Sequence, residues 1–219
     1  MKLSTQYRGF LTHEQIAAGM SAADQNASRL AEDADLLLEA HRFPTTASLA
    51  LLSLEESDKS RILRGMINAT TQKAVVELWK SYRRHIDKHS LMLLLDRFSR
   101  GARRLSDFSD CVTDRGADEK QIYDLVKQLG FYTDCIGDAH WSLPLEVIDE
   151  GLATVLVRSA KIMSKRRHRV SVRELELWAI HMHSGDTREN LLAWARAMES
   201  EGLHPEGYAQ QMVSFTEGL

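Results

Sequence analysis

The sequence predicts an all-α fold, and three observations carry that expectation. Helix-capping signals recur along the chain: T-x-x-Q at Thr12, S-V-R-E at Ser171 and D-T-R-E at Asp186. Only Pro44, Pro144 and Pro205 interrupt the 219 residues. Leu and Ala outweigh Val and Ile, and no segment alternates strongly enough for a half-buried strand. The expected architecture is a bundle of antiparallel helices over residues 1–165, with an ordered loop segment inside it. A helical C-terminal extension over residues 166–219, packed on the bundle, completes the chain.

The elements follow in order. Thr12 and Gln15 open a first helix with a possible restart near Ser21, and its second part carries Leu30, Ala34, Leu37, Leu38, Ala40 and His41. Phe43-Pro44-Thr45-Thr46 breaks that helix and starts another, with Thr45 or Thr46 as N-cap. The second helix runs through Leu51, Leu52 and Leu54 towards Ile62 and Met66. Thr70 and Thr71 cap a third, whose apolar stripe is Val75, Trp79, Tyr82 and Ile86, with Leu93 continuing the face beyond. This helix is expected to extend past Arg104. Residues 106–118 read as a loop, residues 119–128 as a short helix ending at Gly130, and residues 131–143 as an ordered irregular segment rich in aromatics. Pro144 starts a helix through Val147, Leu152, Val155, Leu156 and Ala160. Ser171 and Asp186 open two more, and a short helix follows Pro205.

Composition excludes several classes. The 28 Lys and Arg against 31 Asp and Glu give a net charge of -3, which rules out a uniformly cationic coat for nucleic acid. The charge is nevertheless unevenly spread. Residues 61–104 carry +8 and residues 161–173 carry +6, whereas residues 1–60, 105–160 and 174–219 carry -4, -7 and -6. A local cationic site on an acidic scaffold is therefore expected. Cys111 and Cys135 form no C-x-x-C pair, so neither a disulfide framework nor a thiolate zinc site is indicated, and no cofactor is expected. Residues 1–10 contain no apolar signal region, and the longest apolar runs, such as residues 91–95, are far short of a membrane span. The expectation is a cytoplasmic protein without membrane contact.

The densest chemical constellation is Tyr82-Arg83-Arg84-His85-Ile86-Asp87-Lys88-His89, inside the larger basic block. His85 and His89 can each give or take a proton near neutral pH. Arginine keeps its charge and presents a planar fork that fits phosphate oxygens. These groups suit RNA cleavage without a metal. One His activates a ribose 2′-OH or protonates the leaving 5′-oxygen, and Arg stabilises the developing charge. In a straight helix His85 and His89 lie about 40° apart, but Arg84 and His89 lie about 140° apart. Arg84 and His89 converge only if the helix bends or two protomers pool their motifs. The competing reading is a solvated basic helix face with His89 packed beside the apolar stripe.

Arg84-His85-x-x-x-His89 resembles the R-x4–6-H motif of the HEPN superfamily, helical-bundle domains that include many dimeric, metal-independent endoribonucleases. Leu49-Ala50-Leu51-Leu52-Ser53-Leu54-Glu55-Glu56-x-x-Lys59 resembles a helix of the AbiV-type abortive-infection family within it, with Asp58 where that family usually has Gly. Trp79-x-x-Tyr82-x-x-His85-x-x-Lys88, then Leu129-Gly-Phe-Tyr132-Thr-Asp134 and Trp141-Ser-x-Pro144, resemble further blocks of the same family in the same order. The resemblance spans about residues 24–165 and gives nothing for residues 166–219. It implies a bacterial anti-phage protein that acts as a toxic RNase or translation blocker. The implied partners are RNA, a second copy of the chain and a phage-encoded trigger or inhibitor. Carried over, Arg84 and His89 are the motif's Arg and His, and His85 its polar residue. The AbiV-like pattern points first to His85 and Lys88, so the proton-transfer imidazole stays open. The alternative function is a non-catalytic helical module that binds RNA, ribosomes or a phage protein.

Other residues carry two readings each. Glu55 or Glu56 orients Arg84 from the neighbouring helix, or Glu55 simply pairs with Lys59 at i, i+4. Tyr132, Asp134 and Trp141 line the site, or they anchor the loop segment to the bundle. Arg83, Arg97, Arg100 and Arg104, with Lys165, Arg166 and Arg167, are the candidate RNA contacts. The run Lys161, Lys165, Arg166, Arg167, Arg169 and Arg173 grips phosphates, or it is a solvated turn at a helix C-terminus. His168, His181 and His183 lack metal-binding spacing, and no metal site is expected.

Overall fold

A computed structural model describes residues 6–83, 131–136, 139–165, 169–182 and 187–216. Within them the chain is a helical bundle with one two-stranded hairpin. The helices are α1 (His13–Glu39), α2 (Phe43–Gly65), α3 (Gln72–Arg83), α4 (Pro144–Val147), α5 (Glu150–Ser164), α6 (Val172–His181), α7 (Thr187–Ser200) and α8 (Tyr208–Thr216). A 3-10 turn (Met66–Asn68) links α2 to α3, and strands β1 (Asp134–Ile136) and β2 (His140–Ser142) precede α4.

α1 is one continuous helix with no restart at Ser21. The capping box at Thr12 is complete, because Thr12 Oγ1 accepts from Gln15 N and Gln15 Oε1 accepts from Thr12 N. The helix stops at Glu39, short of His41. The N–H groups of His41 and Arg42 turn back to the carbonyls of Leu38 and Leu37, and His41 takes a left-handed φ of 54°. α2 starts two residues before the expected cap. Pro44 sits in its first turn, where a missing N–H costs nothing. The Thr46 and Ser48 hydroxyls instead donate back to the Arg42 and Pro44 carbonyls, at 2.9 and 3.0 Å.

α1 and α2 run antiparallel along a seam of small residues. Ala23, Ala27, Ala31 and Ala34 of α1 face Ala47, Ala50 and Ser53 of α2, all buried. Small side chains let the backbones approach, and hydroxyls then bond across. Ser53 Oγ donates to the Ala27 carbonyl at 2.7 Å, and Ser60 Oγ to Asp24 Oδ1 at 2.6 Å. A Cβ added at Gly19 would meet a Leu63 methyl at 3.1 Å, so the seam is tight to its end. α5 closes this core with Leu156, Val157 and Ala160.

The expected single helix from Pro144 is two. It breaks at Ile148, which is buried in the core, and Asp149 caps α5 by accepting from Leu152 N at 2.8 Å. The aromatic segment is not irregular. β1 and β2 pair antiparallel, with Cys135 opposite Trp141, and Ala139 takes a left-handed φ of 63° at their turn. A second core joins Ile16, Met20, Ile62, Leu63, Met66, Val75 and Trp79 with Leu175 of α6. α6, α7 and α8 share a third, around Leu177, Trp194 and Met198. The predicted helices over residues 84–104 and 119–128, and the loop between them, lie outside the described residues, as does Cys111. No described helix is long and apolar enough to cross a membrane.

Candidate functional site

α3 leads directly into the Arg84–His89 motif. Thr71 Oγ1 caps it, accepting from Ala74 N at 3.2 Å. Val75 and Trp79 bury its inner face, and Tyr82 follows on the same face, as the apolar stripe predicts. The N-terminal segment straps the flank of this helix beside Trp79. Trp79 Nε1 donates to the Gly9 carbonyl at 2.9 Å, and Gln72 Nε2 to the Arg8 carbonyl at 3.1 Å. Tyr7 meets the Trp79 ring edge-on at 6.0 Å between centroids. Sequence reading missed this strap. The signal available was Tyr7, an aromatic ahead of the Thr12 cap.

Arg84, His85, Lys88, His89, Arg97, Arg100, Arg104, Arg166 and Arg167 lie outside the described residues. The described candidates are Glu55, Glu56, Lys59, Arg83 and Lys165. Lys59 pairs with Glu56, at i, i+3, where the surface-pair reading expected Glu55. Its ammonium lies 5.2 Å from the centre of the Tyr82 ring. The Glu56–Lys59 pair therefore faces the last turn of α3, two residues before Arg84. Glu55 is half-buried beside it. Asp58, the departure from the family pattern, grips Arg61 through both oxygens at 2.7 and 3.0 Å. That pairing raises the Arg61 pKa against the opposing effect of burial.

Arg83 is anchored. Its guanidinium lies 4.7 Å over Trp79, and Nη2 donates to the Tyr7 carbonyl. The second cationic run is partly neutralised. Lys161 Nζ pairs with Asp35 at 2.7 Å. Arg173 forks onto both oxygens of Glu201 at 2.7 Å and reaches Glu176 at 2.8 Å. These bonds raise the Arg173 pKa and lower that of Glu201. Lys165, the C-cap of α5, stays exposed.

The anchoring role expected of the loop aromatics is corrected for two of them. Tyr132 is 59% exposed and Trp141 is 63% exposed, with Phe131, Leu143 and Leu145 also open beside them. Exposed apolar side chains thus flank the hairpin on both sides in the chain, with Trp141 in β2. Among the described residues, no three His, Cys, Asp or Glu side chains gather as metal ligands.

A sequence model for the family described as AbiV, a HEPN family, matches residues 15–165. That span runs from the first turn of α1 to the end of α5 and encloses α3 and the Arg84–His89 motif. No curated protein and no solved structure matches the chain.

Proposed function

The chain belongs to the AbiV family of HEPN proteins, and from that premise we propose that it is a metal-independent endoribonuclease of abortive infection. The family match across residues 15–165 carries this reading, because it encloses Arg84, His85 and His89. In the proposed reaction one imidazole takes the proton from a ribose 2′-OH. The 2′-oxygen attacks the adjacent phosphorus, and the bond to the 5′-oxygen breaks. The other imidazole protonates that oxygen, leaving a 2′,3′-cyclic phosphate and a 5′-hydroxyl. Arg84 stabilises the charge that builds on the phosphoryl oxygens. The i, i+5 spacing of Arg84 and His89 supports a dimer in which two motifs complete one site. In this reading Glu55 or Glu56 orients Arg84 from α2, and the contact of Lys59 with Tyr82 at the last turn of α3 supports it. RNA is the substrate, and a phage-encoded protein the trigger or inhibitor.

The test is cleavage of cellular RNA by purified protein in EDTA, with end-group analysis. Arg84→Ala and His89→Ala should each lower the rate by about 10²–10⁴. Intact RNA at catalytic protein concentrations, with both variants as toxic in cells as wild type, overturns the reading.

The exposed Tyr132 and Trp141 in and before the hairpin favour a second reading, a non-catalytic module that docks on RNA, ribosomes or a phage protein. There the double variant His85→Ala/His89→Ala keeps its function. Charge reversal at Arg97, Arg100 and Arg104, or Trp141→Ser, abolishes it.

A further inference from the structure

A groove of about 260 Å³ lies between the N-terminal strap and α3, lined by Gln6, Arg8, Val76, Trp79, Lys80 and Arg83. Its cations come from two places in the chain. Lys80 and Arg83 stand on α3, and Arg8 comes from the N-terminal strap. In helical phase, Lys73, Val76, Lys80 and Arg83 lie within about 80° of one another. The stripe of positive charge thus continues from the start of α3 to its end. Arg83 is held ready, with its guanidinium stacked on Trp79 and one donor used on the Tyr7 carbonyl. Arginine has five N–H donors, so others remain for a ligand. Arg8 makes no ion pair with the described residues, and it is exposed. Lys80 pairs with Glu77 at 2.6 Å, but both side chains are more than half exposed, so the pair is weak.

We propose that this groove is a phosphate subsite that holds the backbone of single-stranded RNA, on the helix whose last residue precedes the Arg84–His89 motif in the chain. Trp79 is buried, and its ring is already contacted by Tyr7, Tyr82 and Arg83, so it offers no free face for a base. The recognition chemistry left is charge against phosphodiester oxygens, which reads backbone and not sequence. Arg83, at one end of the groove, is the residue that precedes the motif in the chain. The proposal rests on the nuclease reading only for the identity of the polymer.

The experiment uses the full chain carrying His89→Ala, to keep RNA intact, and a short fluorescein-labelled oligouridylate followed by anisotropy across a salt series. Arg8→Glu/Lys80→Glu should weaken binding roughly tenfold at about 100 mM salt. It should also flatten the slope of log K against log salt by about 1.4, for two phosphate contacts. Arg8→Gln/Lys80→Gln should fall between, and it serves if charge reversal disturbs the strap. Glu77→Gln should tighten binding, because it releases Lys80. Unchanged affinity and slope in both double variants overturn the proposal. So does displacement of the strand by ATP at concentrations matching the oligonucleotide, which would assign the groove to a mononucleotide. The two readings separate in the chain with His89 intact. RNA cleavage with an unaltered KM in Arg8→Glu/Lys80→Glu removes the groove and keeps the nuclease. Binding lost in that variant, with no cleavage by wild type, keeps the groove and removes the nuclease.

Discussion

Arg64, in the last turn of α2, joins the bundle to the C-terminal helices. Its Nη2 donates to Glu174 Oε1 at 2.6 Å, with side chains 17% and 2% exposed. The guanidinium also lies 4.9 Å from the Trp178 ring and 5.7 Å from Trp194. Removing one partner leaves a buried charge uncompensated, so Glu174→Ala should cost about 3–5 kcal/mol in urea unfolding. Arg64→Met/Glu174→Leu should recover most of it, since apolar groups can replace a buried pair. A double variant as unstable as the single one would contradict this. His41 holds φ at 54° with no glycine's freedom. His41→Gly should therefore raise the unfolding midpoint, and a lower midpoint would show that its edge-on contact with Phe43 matters more. Glu199 accepts the Gly207 and Ala209 N–H groups at 2.9 and 3.0 Å, which lowers its pKa below the ordinary 4.5. A carboxylate lowered on folding adds stability above pH 4.5, and that contribution is lost as pH falls through its folded value. Acid titration should loosen the α7–α8 turn in this window, read by Trp194 fluorescence, and Glu199→Gln should remove that response.

At the scale of elements, helix starts were more legible than helix ends. Thr12 and Ser171 act as the caps the sequence indicated, because a capping hydroxyl and its target N–H sit within one turn. The end of α1 was not legible, since nothing in Ala40-His41-Arg42 announces a left-handed residue. The break before α5 was hidden too. Ile148 continues the apolar pattern, yet it turns into the core while Asp149 restarts the helix. Asp149→Ala should cost about 1 kcal/mol in thermal or urea unfolding. A loss within 0.5 kcal/mol would mean that Pro144–Val147 and α5 can merge without the cap. The hairpin escaped detection because its three-residue strands are too short to display alternation. For α3 the stripe of Val75, Trp79 and Tyr82 was read correctly from spacing. The strap against Trp79 joins residues about seventy positions apart, which no local pattern encodes.

At the scale of the molecule, the family match ends at residue 165 but the packing does not. Leu175 is fully buried among Ile16, Met20, Leu63 and Val75, and Asn68 Nδ2 reaches the Met182 carbonyl at 2.5 Å. α6 thus fills the second core that α1, α2 and α3 leave open. A chain cut after Lys165 should lose that plug and strand Arg64, and its unfolding midpoint in thermal melts should fall well below that of the full chain. Leu175→Ala, a milder lesion at the same place, should cost about 2–5 kcal/mol. A truncated chain as stable as the whole would show that residues 166–219 ride on the bundle without supporting it.

Periodicity, capping boxes and scarce proline sufficed for the helical class and most helix positions, because each depends on residues within a turn or two. The ordered blocks around Leu49–Lys59 and Trp79–Lys88 likewise sufficed for the family, which is a property of the sequence itself. Partner choice lay beyond that reach. Whether Lys59 meets Glu55 or Glu56, whether Arg173 faces phosphate or Glu201, and where Arg64 finds its carboxylate depend on chain segments brought together only by packing. The cationic groove has the same origin. Its charges are plain in the sequence, but Arg8 stands beside Lys80 and Arg83 because hydrogen bonds from Trp79 and Gln72 hold the N-terminal strap against α3.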